Sequence, residues 1–205
     1  MISTILAIDD GDEILGEFFA DCLADLKNFE NERLDITYIT SSRLNEASVS
    51  MLIPKDKKFV FLAYSHGSDN ELLSSGTNPY VSEKVNITLF KNSFFYTCSC
   101  YTGKKLGEIL IENECLSYIG YKEKFEVWNY NRRPFVECAN FGFKLFVQGE
   151  SVDLVLQKMK EKYDEQIDDY NNDYFGAAHL LANKNALVAL GDINLSASDF
   201  IETLG

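Results

Sequence analysis

The chain has 205 residues, of which 46% are hydrophobic, and a formal net charge of -13 at pH 7. A chain of this length and apolar content can bury a complete core, which excludes a disordered protein and predicts a single domain over residues 1–205. The negative charge disfavours nucleic acid or an anionic membrane as the main partner, because both repel an acidic surface.

Strands and helices alternate in the first part of the chain. Residues 2–8 (ISTILAI) form a short, apolar, β-branched run, which predicts a buried strand that ends at Asp9 and Asp10. Apolar residues at three- and four-residue steps from Ile14 to Leu26 predict a helix after it, with Asp10 or Asp12 as its N-cap. The alternation continues with predicted strands at 35–39, 58–65, 93–99 and 116–121, helices at 42–52 and 104–113, and a small hairpin around Leu72 and Val81.

This alternation predicts an α/β fold in which a mainly parallel sheet is flanked by helices on both faces, as three layers. Beyond Phe125 the pattern becomes helical, with predicted helices at 137–147, 151–170 and 175–182 and one late strand at 186–190. We therefore expect residues 1–125 to form the core of the sheet and residues 126–205 to form the mostly helical remainder of the same domain.

The location of the protein follows from the absence of two patterns. No stretch approaches the ~20 apolar residues that a membrane span needs, and the N-terminus lacks the basic region and cleavage site of a secretory signal. We expect a cytoplasmic protein that does not bind membranes. The five cysteines are an odd number and favour reduced thiols over a disulfide framework.

The sequence contains two histidines, which makes a choice between them possible. His66 follows a predicted strand directly and precedes Gly67, so its side chain can leave the edge of the sheet, where open α/β sheets bind ligands. His179 lies in an apolar helical context, which favours a packing role. His66 is the better candidate for a histidine base, and a local hydrogen-bonding role is its alternative.

Two cysteines follow the fourth main strand. Cys98 is best interpreted as a buried strand residue, whereas Cys100 lies closer to the start of the next helix, where unpaired N–H groups favour the thiolate. An inert, buried thiol is the alternative for Cys100. Cys-x-Cys with one histidine lacks the ligand spacing and the fourth ligand of a zinc centre, so we predict no metal and no cofactor.

The order of these motifs resembles the caspase-like cysteine peptidases of clan CD, and most closely the bacterial CHAT-type domains. The matching segments are residues 64–67 (YSHG) and 97–103 (TCSCYTG), each placed after a strand and in the family's order, and the resemblance covers residues 1–125. It implies that His66 is the general base and acid and that Cys100 is the nucleophile. It also implies that the backbone N–H groups of Gly67 and Cys100 form the oxyanion hole, and that no third catalytic side chain is required.

The resemblance implies a cysteine endopeptidase that cleaves a protein substrate through a thioester acyl-enzyme. It further implies dependence on a regulatory activator protein and an effector role in a bacterial stress or antiviral defence pathway. In this family the loop after the first strand helps to build the pocket for the residue before the scissile bond. Here that loop carries Asp9 and Asp10, whose carboxylates suit arginine or lysine; capping of the following helix is the alternative role for this acidic loop.

A second class of function remains open. The first strand and its acidic pair also resemble a phosphorylation receiver domain, but such a domain needs an acceptor aspartate at the end of the third strand, where this chain has His66. A caspase-like or receiver-like α/β domain without catalysis would act as a regulatory binding module.

Overall fold

A computed structural model describes residues 1–29, 32–55, 57–170 and 173–201. The strands are β1 (Ile2–Ile8), β2 (Leu34–Thr40), β3 (Phe59–Tyr64), β4 (His66–Gly67), β5 (Glu71–Ser74), β6 (Asn78–Ser82), β7 (Ser93–Cys98), β8 (Ser117–Tyr121) and β9 (Leu187–Gly191). The α-helices are α1 (Gly16–Lys27), α2 (Glu46–Leu52), α3 (Leu106–Glu112), α4 (Arg133–Gln148), α5 (Val152–Asp168) and α6 (Tyr174–Ala186).

The main sheet has the strand order β2-β1-β3-β7-β8-β9, and its neighbouring strands are parallel except for the antiparallel pair of β8 and β9. A second, small antiparallel sheet has the order β4-β5-β6. The predicted α/β fold with a mainly parallel sheet is therefore confirmed. The late strand β9 comes from the helical second part of the chain and extends the main sheet at one edge.

The central strands are apolar throughout because both of their faces are covered. Every residue of β3 and β7 is buried. Alternate residues of β3 point to opposite faces of the sheet, so that Val60 and Leu62 belong to one core and Phe59 and Phe61 to the other. A continuous hydrophobic run is typical of a strand in a parallel sheet that is buried on both sides.

The two cores define the three layers. Helices α1, α4, α5 and α6 pack on the first face of the sheet, where α4 contacts both α1 and α5. Helices α2 and α3 and the small sheet cover the second face, with Val49, Leu110 and Leu72 in its core. Within the residues that the structure describes, no helix is long and apolar enough to cross a membrane.

The structure differs from the predicted elements at the first helix, which begins at Gly16 instead of Ile14. The carboxylate of Asp12 accepts hydrogen bonds from the backbone N–H groups of Ile14 and Leu15 at 2.9 and 2.8 Å, which holds residues 12–15 in a turn before the helix. Ile14 is consequently 75% exposed and does not contribute to the apolar face of α1.

One buried side chain connects the first helical layer with the sheet. The Oδ1 atom of Asn140, on α4, accepts a hydrogen bond from the hydroxyl of Tyr64 at 2.5 Å. Its Nδ2 atom donates to the carbonyl oxygen of Cys22 at 2.9 Å and to the carboxylate of Asp25 at 2.6 Å, both on α1. A fully buried amide with all of these partners ties β3, α1 and α4 together.

We expect Asn140→Ala to lower the free energy of unfolding by about 2 to 3 kcal/mol, because the buried Tyr64 hydroxyl and Cys22 carbonyl would lose their partner. The matched control is Asn185→Ala on the exposed side of α6, which should change stability by less than about 0.5 kcal/mol. Urea unfolding of both variants measures the difference; equal midpoints would contradict the role of Asn140.

Candidate active site

Three strand ends meet at one edge of the main sheet. In the parallel pairings Ile8 lies opposite Tyr64, and Tyr64 lies opposite Cys98. The residues that follow each strand therefore leave the sheet side by side. Those residues include His66 after β3 and Cys100 after β7, which places both predicted catalytic residues at the carboxyl edge of the sheet.

Gly67 lies directly against the segment that carries the nucleophile candidate. A Cβ atom at Gly67 would stand 2.7 Å from the carbonyl oxygen of Cys100 and 2.8 Å from Cγ2 of Thr102, so only glycine permits this approach. The N–H of Ser68 donates to the carbonyl oxygen of Glu71, so Ser68 and Glu71 form a hydrogen-bonded pair of the antiparallel ladder. The next pair, Gly67 and Leu72, is therefore a non-hydrogen-bonded pair, and the N–H of Gly67 points away from β5. This donor faces the outer edge of the small sheet.

A sharp turn separates Cys100 from Cys98. Tyr101 adopts a left-handed conformation with φ of 63°, and its N–H donates to the carbonyl oxygen of Glu123 at 3.1 Å. The turn ends the alternation of the strand, so that Cys98 is buried in the first core while Cys100 is only partly buried. The structure thus confirms Cys98 as a buried strand residue and leaves Cys100 partly accessible.

The thiol of Cys100 contacts the loop after β8. Its Sγ atom accepts a hydrogen bond from the N–H of Phe125 at 3.3 Å and lies 3.9 Å from the carbonyl oxygen of the same residue. Burial raises the pKa of the Cys100 thiol, and the Phe125 N–H and the charge of Lys124 only partly oppose this effect. The expectation that the start of a helix favours the thiolate is therefore wrong, since α3 begins six residues later, at Leu106.

The imidazole of His66 has a carboxylate partner. Its Nε2 atom lies 3.1 Å from Oδ2 of Asp12, whose side chain is 6% exposed. Burial alone would raise the pKa of Asp12, but hydrogen bonds from the N–H groups of Leu15 and Ile14 and from His66 outweigh it and lower that pKa. An ionised Asp12 holds the proton on Nε2 and leaves Nδ1 as the basic nitrogen. Asp12 is thus a third member of the site, where the family resemblance implied no third side chain.

A cavity of about 580 Å³ opens beside His66. Residues 11–14, His66 and residues 75–76 form its lining, so the loop after β1 builds one wall and the β5–β6 turn another. Asp12 and Glu13 supply carboxylates to this lining, and Glu13 is exposed. Cys100 is not among the lining residues.

Asp9 and Asp10 occupy the same loop but do not line the cavity. The carboxylate of Asp9 is buried and accepts hydrogen bonds from the hydroxyl of Ser41 at 2.8 Å and from the N–H of Ser75 at 2.7 Å. The carboxylate of Asp10 accepts from the N–H of Ser41 at 3.1 Å. Their contact with substrate stays a prediction. In this structure Asp9 joins the loop after β1 to Ser75 in the other wall of the cavity, whereas Asp10 binds Ser41 outside the lining.

The second histidine lies elsewhere. His179 is on α6, where its Nδ1 atom is 3.5 Å from the carboxylate of Glu126 and its ring packs against Trp128. Over the described part of the chain, no group of three or more His, Cys, Asp or Glu side chains is arranged to hold a metal ion.

Comparisons with known proteins agree on the fold. The sequence matches no protein-family model, and no curated protein matches it significantly. Among solved structures, the chain is similar to the Arg-specific cysteine proteinase gingipain R (RgpB), with a TM-score of 0.60 and 9% identity over 95% of this chain. It is also similar to the complex of the Porphyromonas gingivalis RgpB pro- and mature domains, with a TM-score of 0.58, 8% identity and 95% coverage.

The likeness shows that the chain has the fold of a caspase-like cysteine proteinase, as the sequence motifs predicted. The chain spans about half of the length of these two structures, 47% and 48%. At identities below 10%, this likeness shows the fold alone, and an activity has to be argued from the geometry of the site.

Sequence reasoning missed Asp12 because its partner is distant along the chain. The sequence offers Asp12 as a helix cap or as a member of the acidic loop after the first strand, and one of its oxygens does bind backbone N–H groups before α1. The other oxygen is free to reach His66, 54 residues later. The sequence held one signal for this pairing. The loop that carries Asp12 follows β1 at the carboxyl edge of the sheet, and His66 follows β3 at the same edge.

We expect iodoacetamide to alkylate Cys100 first under native conditions, because Cys22, Cys98, Cys115 and Cys138 are buried. The rate should rise with pH and have its midpoint above that of an exposed cysteine peptide, since burial raises the pKa of the thiol. Mass spectrometry of peptides from samples quenched between pH 6 and 10 measures this. Cys100→Ser should remove the early label, and labelling of Cys98 at the same rate would contradict the assignment.

Proposed function

We propose that this protein is a cysteine endopeptidase that uses His66 and Cys100 as a catalytic dyad. The observation that carries the proposal is the register of β3 and β7, which brings both residues to one edge of the sheet, with Gly67 packed on the backbone of Cys100. The fold shared with a cysteine proteinase supports this reading of the site.

The proposed reaction begins with a neutral thiol, because the site raises the pKa of Cys100. Nδ1 of His66 takes the proton of the thiol as Sγ forms a bond to the carbonyl carbon of the scissile amide. The carbonyl oxygen becomes negative and receives hydrogen bonds from the N–H groups of Gly67 and Cys100. Asp12 accepts a hydrogen bond from Nε2 and stabilises the imidazolium that forms.

The tetrahedral intermediate then collapses. The carbon–nitrogen bond breaks, and the imidazolium of His66 gives its proton to the leaving amine, which leaves a thioester on Cys100. A water molecule then attacks the thioester while His66 removes a proton from that water. Collapse of the second tetrahedral intermediate breaks the carbon–sulfur bond, returns the proton from His66 to the thiol and releases the new carboxylate. Asp12 thereby acts as a positioning residue that keeps one tautomer of His66 throughout.

For substrate choice, we propose that the cavity beside His66 receives an arginine or lysine side chain before the scissile bond. Asp12 and Glu13 give its lining a negative charge, and Asp9 and Asp10 lie behind it in the same loop. Because Asp12 is paired with His66, the exposed carboxylate of Glu13 is the group available to a basic side chain.

The finer assignments are part of the same proposal. They are a CHAT-type relationship, a cytoplasmic location, a protein substrate, control by an activator protein and a role in bacterial stress or antiviral defence. The relationship, the substrate, the activator and the pathway rest on the resemblance carried by the motifs around His66 and Cys100.

We expect His66→Ala and Cys100→Ala each to lower kcat for a fluorogenic peptide at least about 10³-fold, because one removes the base and the other the nucleophile. His179→Ala is the matched control and should retain kcat within about twofold, since His179 lies on α6 and does not line the cavity beside His66. Activity that survives Cys100→Ala would overturn the proposed dyad, whereas a wild-type protein that cleaves no peptide would favour the alternative of a regulatory binding module.

We expect a peptide panel with Arg, Lys, Asp, Asn or Leu before the scissile bond to be cleaved fastest at Arg or Lys. Glu13→Gln should lower kcat/KM for the Arg peptide about two- to fivefold, the effect of one exposed ion pair, and leave the Leu peptide unchanged. Glu83→Gln removes an exposed carboxylate outside the cavity and serves as the control. Preference for Asp would contradict the role given to the acidic loop.

A further inference from the structure

A buried row of hydroxyl groups lies beneath the two candidate catalytic residues. Oγ of Ser65 is 2.7 Å from the hydroxyl of Tyr80 and 3.5 Å from Oγ of Ser99. Oγ1 of Thr97 is 2.9 Å from Oγ of Ser99 and 3.2 Å from the carbonyl oxygen of Ala63. The four side chains are at most 2% exposed, so water does not compete for these hydrogen bonds.

The donors and acceptors give this row a direction. Thr97 donates its hydroxyl proton to Ser99 at 2.9 Å, and Ser99 can donate its own to Ser65. Ser65 donates to the carbonyl oxygen of His66 at 2.9 Å, which can only accept, and its oxygen receives a hydrogen bond from Tyr80. Tyr80 stands at the other end as the donor, and burial raises its pKa, which keeps its hydroxyl protonated.

The row of hydroxyl groups continues the contact between β3 and β7 beyond the point where their backbone pairing ends. The last paired residues of β3 and β7 are Tyr64 and Cys98. Ser65 and Ser99 are the next residues of the two strands, and each is followed directly by a residue of the proposed dyad, His66 or Cys100. The contact between the two serines therefore fixes the separation of the two backbone segments that carry the base and the nucleophile.

Tyr80 connects this row to the wall of the cavity. It belongs to β6, which pairs with β5 in the small sheet, and the β5–β6 turn supplies Ser75 and Gly76 to the lining. The hydroxyl of Tyr80 thus joins the β5–β6 hairpin, whose turn lines the cavity, to Ser65, the residue before His66.

We propose that Tyr80 is a positioning residue for the dyad, acting through Ser65 and Ser99 to set the spacing of His66 and Cys100. This inference rests on the proposed function. Tyr80 does not line the cavity, so it would act only through the positions of His66 and Cys100. A small displacement of these reacting groups lowers the rate of the chemical step without weakening substrate binding.

The test compares Tyr80→Phe with Tyr163→Phe, each of which removes one buried hydroxyl and keeps the ring. The hydroxyl of Tyr163 lies 2.9 Å from that of Tyr121 in the other core and is not part of the row. We expect Tyr80→Phe to lower kcat about tenfold with KM within twofold of wild type, and Tyr163→Phe to leave both unchanged. Ser99→Ala, which breaks the row at its centre, should give the same pattern as Tyr80→Phe.

A second readout does not depend on peptidase activity. At pH 7 we expect the iodoacetamide rate of Cys100 in Tyr80→Phe to fall at least threefold toward the rate in His66→Ala, while Tyr163→Phe keeps the wild-type rate. If His66→Ala slows alkylation but Tyr80→Phe and Ser99→Ala do not, the inference about Tyr80 is wrong and the dyad stands. If His66→Ala leaves alkylation unchanged, the proposed dyad fails and the inference falls with it.

Discussion

The register of β3 with its two neighbours is the constraint on which the rest of the site depends. Tyr64 lies opposite both Ile8 of β1 and Cys98 of β7, so three strands end at the same level. A shift of one residue would turn the alternating side chains of a strand toward the opposite face and move them between the two cores. Because both faces are tightly packed with aromatic residues, this register is strongly enforced, and the acidic loop, His66 and Cys100 emerge together.

The site combines a partly buried thiol, Cys100, with a charged partner for the imidazole of His66. Burial raises the pKa of Cys100, which keeps the thiol neutral, whereas local hydrogen bonds lower the pKa of Asp12 and keep that carboxylate charged. These opposite shifts favour a base that removes the thiol proton during attack over a thiolate that exists beforehand. The loop residue Phe125 contributes a backbone donor to the same sulfur atom, so the segment after β8 also belongs to the environment of Cys100.

The order and type of most elements could be predicted from the sequence because each strand and helix carries its own hydrophobic period. The candidates His66 and Cys100 could be found in the same way, since each follows a recognisable strand and precedes a glycine-containing turn. The roles of neighbouring acidic residues could not be assigned. Asp9, Asp10 and Asp12 look alike in a short loop, yet the structure points Asp9 at Ser75, Asp10 at Ser41 and Asp12 at His66.

The sequence by itself determined the α/β alternation and the placement of His66 and Cys100 directly after strands of the main sheet. Only the tertiary structure decided that Asp12 pairs with His66, that β9 lies at one edge of the main sheet in the antiparallel sense, and that the partly buried thiol of Cys100 contacts Phe125. The physical reason is that strand periodicity is a local property, read from a few successive residues. Hydrogen bonds and desolvation at the site depend on loops that are distant in the chain, and their directions exist only once the sheet has brought those loops together.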